Sequence, residues 1–223
     1  MQAATDGDAG HLAVRAVLQT AARGRGGRVW DAPVGNLNLS LLLRPHAAPP
    51  EPGRFALLAG VALYDAINQV APGITSLSLK WPNDVLRDGA KMGGILIDSA
   101  LSPAGSLAYV VIGIGVNVAT SPTIPGRQTA CLADFAADSG QLASQILRAI
   151  DRLLATDFAT VRADWLARAH PIGTKLTVRT GDTTTTGRFG GLAPDGALLL
   201  LRDDPATTPR PINSGEIFLN GDA

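Results

Sequence analysis

The chain has 223 residues, of which 46% are hydrophobic and 17% charged, so it can bury the core of one medium domain and a smaller one. Lysine plus arginine equals aspartate plus glutamate at 19 each, which excludes a global field that would favour nucleic acid or an anionic membrane. One cysteine excludes an internal disulfide, and the sequence shows neither an apolar run long enough for a bilayer nor a signal peptide, so we expect a soluble, cytoplasmic protein.

Hydrophobic periodicity and turn residues divide the first part of the chain into alternating elements. In order they predict a turn or frayed end at residues 1–10, a strand at 11–19, a loop at 19–30, a strand at 36–45, a proline-rich connection at 46–53 and a helix at 54–70. Strands follow at residues 76–81, 95–101 and 107–118, with polar turns between them. The last of these strands is almost continuously apolar, which is typical of a strand buried on both faces.

The predicted secondary structure of the C-terminal part changes from helix to short strands after a long helical stretch. Residues 141–169 have helical periodicity, with a break expected near Thr156, and Pro171-Ile172-Gly173 marks a boundary. Beyond it, short β-rich pieces alternate with turns, which predicts a small barrel of about 50 residues. We therefore predict two domains, 1–170 and 171–223.

The loop at residues 19–30 reads QTAARGRGGRVW and combines three arginines with three glycines. Glycine lets a backbone approach a ligand closely, and guanidinium groups bind phosphate and carboxylate oxygens. A flexible basic linker and an arginine-glycine segment that binds RNA are the alternatives. The apolar strand that follows argues against a linker, while the single cluster, the 4% aromatic content and the zero net charge argue against RNA.

Two further stretches carry groups suited to an anionic ligand. Lys80-Trp81-Pro82-Asn83-Asp84 places a cation and a carboxylate around a turn that proline enforces, and Lys91 precedes a pair of glycines. A purely structural turn explains the pentapeptide equally well by itself, because Asn and Asp are common turn formers. Gly113-Ile114-Gly115-Val116-Asn117 ends the long buried strand, where glycines indicate close approach of a ligand or of another backbone.

Together these motifs resemble the biotin protein ligases, over nearly the whole chain and in matching order. The glycine-rich loop is matched by residues 22–30, the K-W-P-N-D motif by residues 80–84, and the lysine before a G-I-L strand by Lys91. The G-x-G-x-N strand is matched by residues 113–117, and Gly35-Asn36-Leu37 and Gly215-Glu216-Ile217 also fit. The resemblance implies an α+β fold: a biotin/lipoate-ligase-like catalytic domain, with a mixed β-sheet and flanking helices, plus an SH3-like β-barrel.

The resemblance also implies a two-step reaction and its partners. Biotin's carboxylate attacks the α-phosphorus of ATP with Mg²⁺ present, and a lysine of a biotin carboxyl carrier domain then takes the biotinyl group from biotinyl-5′-AMP. The implied catalytic residues are Arg25, Lys80, Asp84 and Lys91. The implied contacts to biotin or its adenylate are Gln19, Arg23, Gly24, Arg28, Trp30, Asn36, Gly94, Ile95, Gly113, Gly115 and Asn117. No metal site on the chain itself is implied, and relatives include both monomers and homodimers.

In detail, the resemblance assigns different roles around the reacting groups. Arg25 closes over the phosphates, Lys91 neutralises the biotin carboxylate, and Lys80 assists on the pyrophosphate side. Asp84 orients the incoming lysine or accepts its proton, while Asn117 and Trp30 meet the adenine.

The sequence departs from the family pattern in three places. Ala22 replaces the leading loop glycine, which weakens biotin binding if that position needs a positive φ or a direct backbone contact to the ligand. A Ser-Thr-Asn segment that contacts the ureido ring in relatives would fall before Met1, so we expect either an upstream start or an incomplete biotin pocket. A helix-turn-helix domain is not found, so we expect no direct DNA binding.

Three functions therefore stand at this point. The first is an active ligase, the second is a ligase-like binding module without turnover, and the third is a lipoyl or octanoyl transferase. Octanoyl transfer can use a cysteine nucleophile, but Cys131 sits in no activating sequence context.

Overall fold

The computed structural model describes residues 2–7, 11–31, 33–45, 51–202 and 208–219. The predictions for residues 8–10 and 46–50 lie outside these ranges. The helices are α1 (Gln2–Thr5), α2 (Gly53–Val70), α3 (Ser139–Leu154) and α4 (Phe158–Ala167). The strands of the larger sheet are β1 (Leu12–Ala16), β2 (Leu37–Leu43), β3 (Leu77–Lys80), β4 (Asp84–Arg87), β5 (Ala90–Leu101) and β6 (Leu107–Val116).

The larger sheet has the strand order β1-β2-β6-β5-β4-β3, and all of these neighbours are antiparallel. The predicted α+β fold is confirmed, although the sheet is antiparallel where a mixed sheet was predicted. The reason is that β3 to β6 follow one another through short connections, and a short connection can join only antiparallel neighbours.

One face of this sheet packs against helices, and the other carries the candidate site. On β6, Ile112, Ile114 and Val116 are buried in the core with α2 and α3. The alternate positions, which include Gly113 and Gly115, belong to the opposite face because successive residues of a strand point to opposite sides. That opposite face carries the candidate site, and no helix among the described residues packs on it.

A second sheet contains β7 (Lys175–Thr180), β8 (Thr183–Leu192), β9 (Leu198–Leu201), β10 (Arg210–Ile212) and β11 (Glu216–Leu219). Its strand order is β10-β9-β8-β7-β11. The β-rich C-terminal region is confirmed, while its closure into a barrel and the boundary at residue 170 stay predictions. His170, just before this region, packs on Phe189 of β8 with the ring centroids 4.4 Å apart.

Helix caps explain where the predicted C-terminal helix breaks. Asp138 accepts a hydrogen bond from the backbone N–H of Gln141, and Asp157 does the same for Thr160. Such N-caps satisfy backbone donors that the first turn of a helix leaves unpaired. The predicted stretch is therefore two helices, α3 and α4, separated at residues 155–157.

Two predictions about local structure were wrong. Residues 84–94, expected to be a turn before a strand, form β4 and the beginning of β5, because the register of Asp84 with Gly94 continues the hairpin. Residues 2–5, expected to be a frayed end or turn, form α1, and Ala4 is buried there. In the described parts of the chain, every helix is too short or too polar to cross a membrane.

Candidate active site

A cavity of about 740 Å³ lies over the glycine-bearing face of the larger sheet. Its walls come from four parts of the chain: the loop at residues 19–31, the turn at 80–84, the segment 122–129 and the start of β11. The volume is in the range of small-molecule pockets, and parts of the chain that are distant in sequence converge on it. The sequence-predicted residues that line it are Gln19, Arg23, Gly24, Arg25, Arg28, Trp30, Lys80, Asp84, Lys91, Gly94, Ile95, Gly113, Gly115 and Asn117.

The floor of the cavity is built from glycines on neighbouring strands. Gly94 of β5 pairs with Gly115 of β6, and the indole of Trp30 lies directly on them. A Cβ built at Gly115 would lie 2.6 Å from Trp30, a distance that real Cβ atoms do not tolerate. The two glycines therefore leave a flat surface on which a planar or extended group can lie.

Lys91 and Asp84 form an ion pair at one end of this floor. The Lys91 Nζ lies 2.5 Å from Asp84 Oδ1, and both side chains are mostly shielded from solvent. Lys80 is the register partner of Asp84 across β3 and β4 and lines the same cavity. Two lysines beside one carboxylate leave a net positive charge, which suits an anionic ligand.

The backbone around Lys91 is fixed on both sides. Its N–H donates to Gln128 O at 2.9 Å, and its carbonyl accepts from Ala130 N at 3.0 Å. The Ile95 N–H donates a hydrogen bond to Asn83 O at 2.9 Å, which joins the turn to β5. These bonds fix the main chain from which the Lys91 side chain extends, and the pair with Asp84 holds its ammonium.

The arginine-rich loop is held by the C-terminal sheet. Arg28 donates to Glu216 Oε1 at 2.8 Å, and Arg25 donates to Gly215 O at 2.5 Å. Glu216 also accepts hydrogen bonds from Arg127 and from Arg179. We call Glu216 with Arg28, Arg127 and Arg179 the Glu216 cluster. It joins the loop, the 122–129 segment and the second sheet at the rim of the cavity.

Gly26 and Gly27 shape the tip of the same loop. Their φ angles are 68° and 76°, in the region that side chains disfavour. Ala22, which replaces a glycine of the family pattern, is not among the residues with positive φ, and its carbonyl accepts from Trp30 N at 3.2 Å. The backbone conformation at this position therefore suits alanine, so the condition of a positive φ does not apply.

Of the two asparagines predicted to contact the ligand, Asn117 lines the cavity and Asn36 does not. The Nδ2 of Asn117 donates to Ala130 O, while its buried Oδ1 has no partner among the described residues. The Oδ1 of Asn36 accepts from the backbone N–H groups of residues 118, 119 and 120, and its Nδ2 donates to Thr120 O. In place of the predicted ligand contact, Asn36 fixes the chain that follows β6.

Comparison with known proteins agrees with this geometry. Residues 9–117 match the profile of the biotin/lipoate A/B protein ligase family, and residues 172–220 match that of the biotin protein ligase C-terminal domain. A biotin–[acetyl-CoA-carboxylase] ligase from Paracoccus denitrificans is 37% identical over 227 residues, which cover 96% of this chain and 93% of the relative. This chain belongs to the biotin protein ligase family.

Solved structures and longer relatives extend this result. The biotin protein ligase from Aquifex aeolicus in complex with biotin and ATP has a TM-score of 0.73 and 26% identity, covering 93% of this chain and 88% of that one. The bifunctional ligase/repressor of Escherichia coli is 30% identical over 92% of this chain, which spans 65% of that relative's length. The biotin protein ligase fold is thus present, with its cavity formed from this chain's own residues.

Several lining residues were not singled out from the sequence of this biotin protein ligase. Arg127 and Gln128 lie in a segment whose sequence predicts only a loop, and Asn38 lies in one whose sequence predicts only a strand. The sequence around these residues matches no motif. Only the folded chain shows that they line the cavity. Cys131 does not line the cavity, so octanoyl transfer through this cysteine has no support from the geometry.

The carboxylates of the site do not form a metal cage. Among the described residues, no three His, Cys, Asp or Glu side chains are grouped to hold a metal ion. Asp84 is paired with Lys91, and Glu216 with three arginines. These carboxylates are therefore already engaged with cations of the chain.

Acid titration should separate two buried groups of this region. Burial opposes ionisation of Glu216, but the hydrogen bonds from Arg28, Arg127 and Arg179 outweigh it and lower the pKa of its carboxyl from 4.5 to about 2. Burial, and then the charge of Lys80, lower the pKa of the His170 imidazole from 6.5 to about 4. Both folded-state values lie below the unfolded ones, so in each case the unfolded chain binds the proton first.

We therefore expect the free energy of unfolding to fall in two windows as pH decreases. The His170 contribution is complete above pH 6.5 and is lost towards pH 4, and the Glu216 contribution is complete above pH 4.5 and is lost towards pH 2. Urea unfolding at a series of pH values measures both. His170→Gln should flatten the first window and Glu216→Gln the second, whereas slopes equal to those of the wild type would contradict the assignment.

Proposed function

We propose that this protein is an ATP-dependent biotin protein ligase that forms biotinyl-5′-AMP and transfers the biotinyl group to a lysine of a biotin carboxyl carrier domain. The observation that carries the proposal is the Lys91–Asp84 pair at the end of a glycine floor, facing an arginine-rich loop. The site has cations for two anionic substrates, a floor for an extended apolar chain, and a carboxylate beside the reacting end.

In the first step a biotin carboxylate oxygen forms a bond to the α-phosphorus of ATP, and the bond to pyrophosphate breaks. Two anions must approach each other, so fixed positive charge contributes most to the rate. Lys91 lies where it can hold the carboxylate, and Lys80 and Arg25 approach from the turn and the loop. Pyrophosphate leaves with the electron pair of the broken P–O bond.

In the second step the ε-amine of the acceptor lysine attacks the carbonyl carbon of biotinyl-5′-AMP. A C–N bond forms, AMP leaves, and the amine loses a proton. Asp84 is the carboxylate at this end of the cavity, and we assign it the orientation of the amine and acceptance of its proton. The unpaired Oδ1 of Asn117 is suited to accept a hydrogen bond from the adenine amino group.

Trp30 has to move for either step. Its indole now covers Gly115 and lies with its centroid 5.8 Å from Lys91 Nζ. An entering biotin chain needs the same floor, so we propose that the indole lifts and then covers the bound ligand. Trp165 is buried away from the cavity, so a change in tryptophan fluorescence on adding ligand reports the two tryptophans that line it, Trp30 and Trp81.

The proposal also covers Mg²⁺, the location of the enzyme and its domain boundary. Asp84 and Glu216 are paired with cations of the chain, so we propose that Mg²⁺ would enter with the phosphates of ATP. When bound, it neutralises phosphate charge. We also propose a cytoplasmic enzyme whose two domains meet near residue 170.

The test is pyrophosphate release by the purified chain with MgATP and biotin, followed by mass spectrometry of an added carrier domain. We expect release that depends on biotin and a carrier mass that increases by one biotinyl group. Lipoate and octanoate in place of biotin test the transferase alternative. Activity with either of those acids but not with biotin would contradict the proposal, as would binding without release.

Asp84→Asn should separate the two steps. We expect carrier biotinylation to fall by about 10²-fold, because the amine loses its proton acceptor, and pyrophosphate release to fall less, by about tenfold. Asp88→Asn is the matched control, since Asp88 is exposed in the next turn and asparagine tolerates its positive φ of 52°. Equal losses in both steps would assign Asp84 to holding Lys91 alone.

A further inference from the structure

Asn38 is a buried amide that nothing in the described protein satisfies. It lies in β2, is only 3% exposed, and neither its Oδ1 nor its Nδ2 has a hydrogen-bond partner among the described residues. Asn36, two residues earlier, has all its bonds made by the chain. An unpaired buried amide destabilises a fold, and a binding role is one physical reason for its presence.

The side chain of Asn38 belongs to the cavity face of the sheet. Its neighbours Leu37 and Leu39 are buried in the core on the helix side, and side chains alternate along a strand. Asn38 pairs in register with Gly115, the glycine that Trp30 covers, and it lines the cavity. Its unsatisfied donor and acceptor therefore belong to the glycine floor, which a ligand reaches once the Trp30 indole has lifted.

The register also fixes how far Asn38 lies from the cationic end. Asn38, Gly115 and Gly94 stand side by side on β2, β6 and β5, so Asn38 is about 10 Å, or two strand spacings, from Gly94. Lys91 Nζ lies 3.4 Å from the position of a Cβ on Gly94. The floor thus has a cation at one end and an amide at the other, with no side chain on the glycines between them.

We infer that Asn38 binds the ureido ring of biotin, an inference that rests on the proposed function. With the carboxylate held at Lys91 and the valeryl chain extended over Gly94 and Gly115, the bicyclic ring reaches Asn38. The ureido group offers N–H donors and a C=O acceptor, which match the amide of asparagine. The thioether sulfur, the other heteroatom of the ring system, is only a weak acceptor. Asn38 is thus the residue that determines specificity for the distal end of the substrate.

Two substitutions of nearly equal size test this inference. Asn38→Leu removes both polar atoms, and we expect KM for biotin to rise about 10- to 100-fold with KM for ATP unchanged. The melting temperature should stay the same or rise, because an unsatisfied amide has been removed. Asn38→Asp keeps the size but carries a negative charge, so it should favour 2-iminobiotin, whose guanidinium replaces the urea.

The readouts are KM values from pyrophosphate release and dissociation constants from tryptophan fluorescence. For Asn38→Asp we expect the preference for biotin over 2-iminobiotin to fall at least about tenfold in dissociation constant. Asn68→Asp and Asn68→Leu are matched controls, since Asn68 is exposed on α2 and bonds only Tyr64 O in the described contacts. Both controls should behave as the wild type.

The possible failures are distinguishable. A wild-type chain that neither binds biotin nor releases pyrophosphate would refute the proposed function and this inference with it. A wild-type chain that is active with biotin, together with Asn38 variants whose KM for biotin is unchanged, would refute the inference alone. A rise in KM for ATP without one for biotin would also refute it, because it would place Asn38 at the nucleotide.

Discussion

Lys91→Ala is expected to reduce biotin-dependent pyrophosphate release by at least about 10²-fold, the usual effect of removing one preorganised electrostatic contact. The ammonium lies 2.5 Å from Asp84 and beside Gly94, where a carboxylate on the glycine floor would end. Without it, two anionic substrates meet next to an unpaired Asp84 carboxylate. Removing the Lys91 ammonium therefore removes the attraction for the biotin carboxylate and the neutralisation of Asp84.

The chain has only three lysines, which makes the control simple. Lys175 is exposed on β7, so Lys175→Ala should keep wild-type rates. Lys91→Arg retains the charge but has a larger head group, and we expect it to recover only part of the activity. Calorimetric unfolding of each variant checks that the fold is intact. A folded Lys91→Ala protein with more than a tenth of the wild-type rate would rule out the role assigned to Lys91.

Glu216→Lys is expected to have the second-largest effect, because it places a cation among three arginines. Arg28, Arg127 and Arg179 all donate to Glu216, and its side chain is only 19% exposed. We expect KM for ATP to rise at least about tenfold, since loss of these ion pairs disorders the arginine loop. The free energy of unfolding should fall by about 1–2 kcal/mol, a value discounted for the exposure of Arg28 and Arg179.

Glu216→Gln should have a smaller effect on KM for ATP than Glu216→Lys, because it removes the charge without adding repulsion. Asp65→Asn is the matched control: Asp65 of α2 also bridges two arginines, Arg152 and Arg168, and does not line the cavity. It should lower stability and leave KM for ATP unchanged. Stability losses without any change in KM for the Glu216 variants would show that the Glu216 cluster serves the fold only.

The Glu216 cluster could not have been read from the sequence. Its members lie in four separate segments, and Arg28 is 188 positions from Glu216. Arginine and glutamate are usually solvated surface residues, so their types alone predict no contact. The same holds for Asn38, because an asparagine within an apolar strand gives no sign of whether its amide is satisfied by a neighbour.

Other features followed directly from local chemistry. The helix α2 was predicted within one residue of its observed start and at its observed end, because apolar spacing and the Ala71-Pro72-Gly73 stop act within a few residues. The β4 strand was missed, since four residues beside proline and asparagine look like a turn. Only pairing with β5 shows that they form a strand.

The sequence by itself determined which chemical groups the protein carries and the order in which it carries them. The arginine loop, the Lys80–Asp84 turn, Lys91 and the glycine-bearing strand were each recognisable, because residue type and short spacing define them. Tertiary structure alone decided that Lys91 pairs with Asp84 and that Trp30 lies on Gly115. It also decided that Glu216 binds three arginines and that Asn38 has no hydrogen-bond partner among the described residues. These are contacts between distant segments, and their energies depend on the burial and distance that only the folded chain provides.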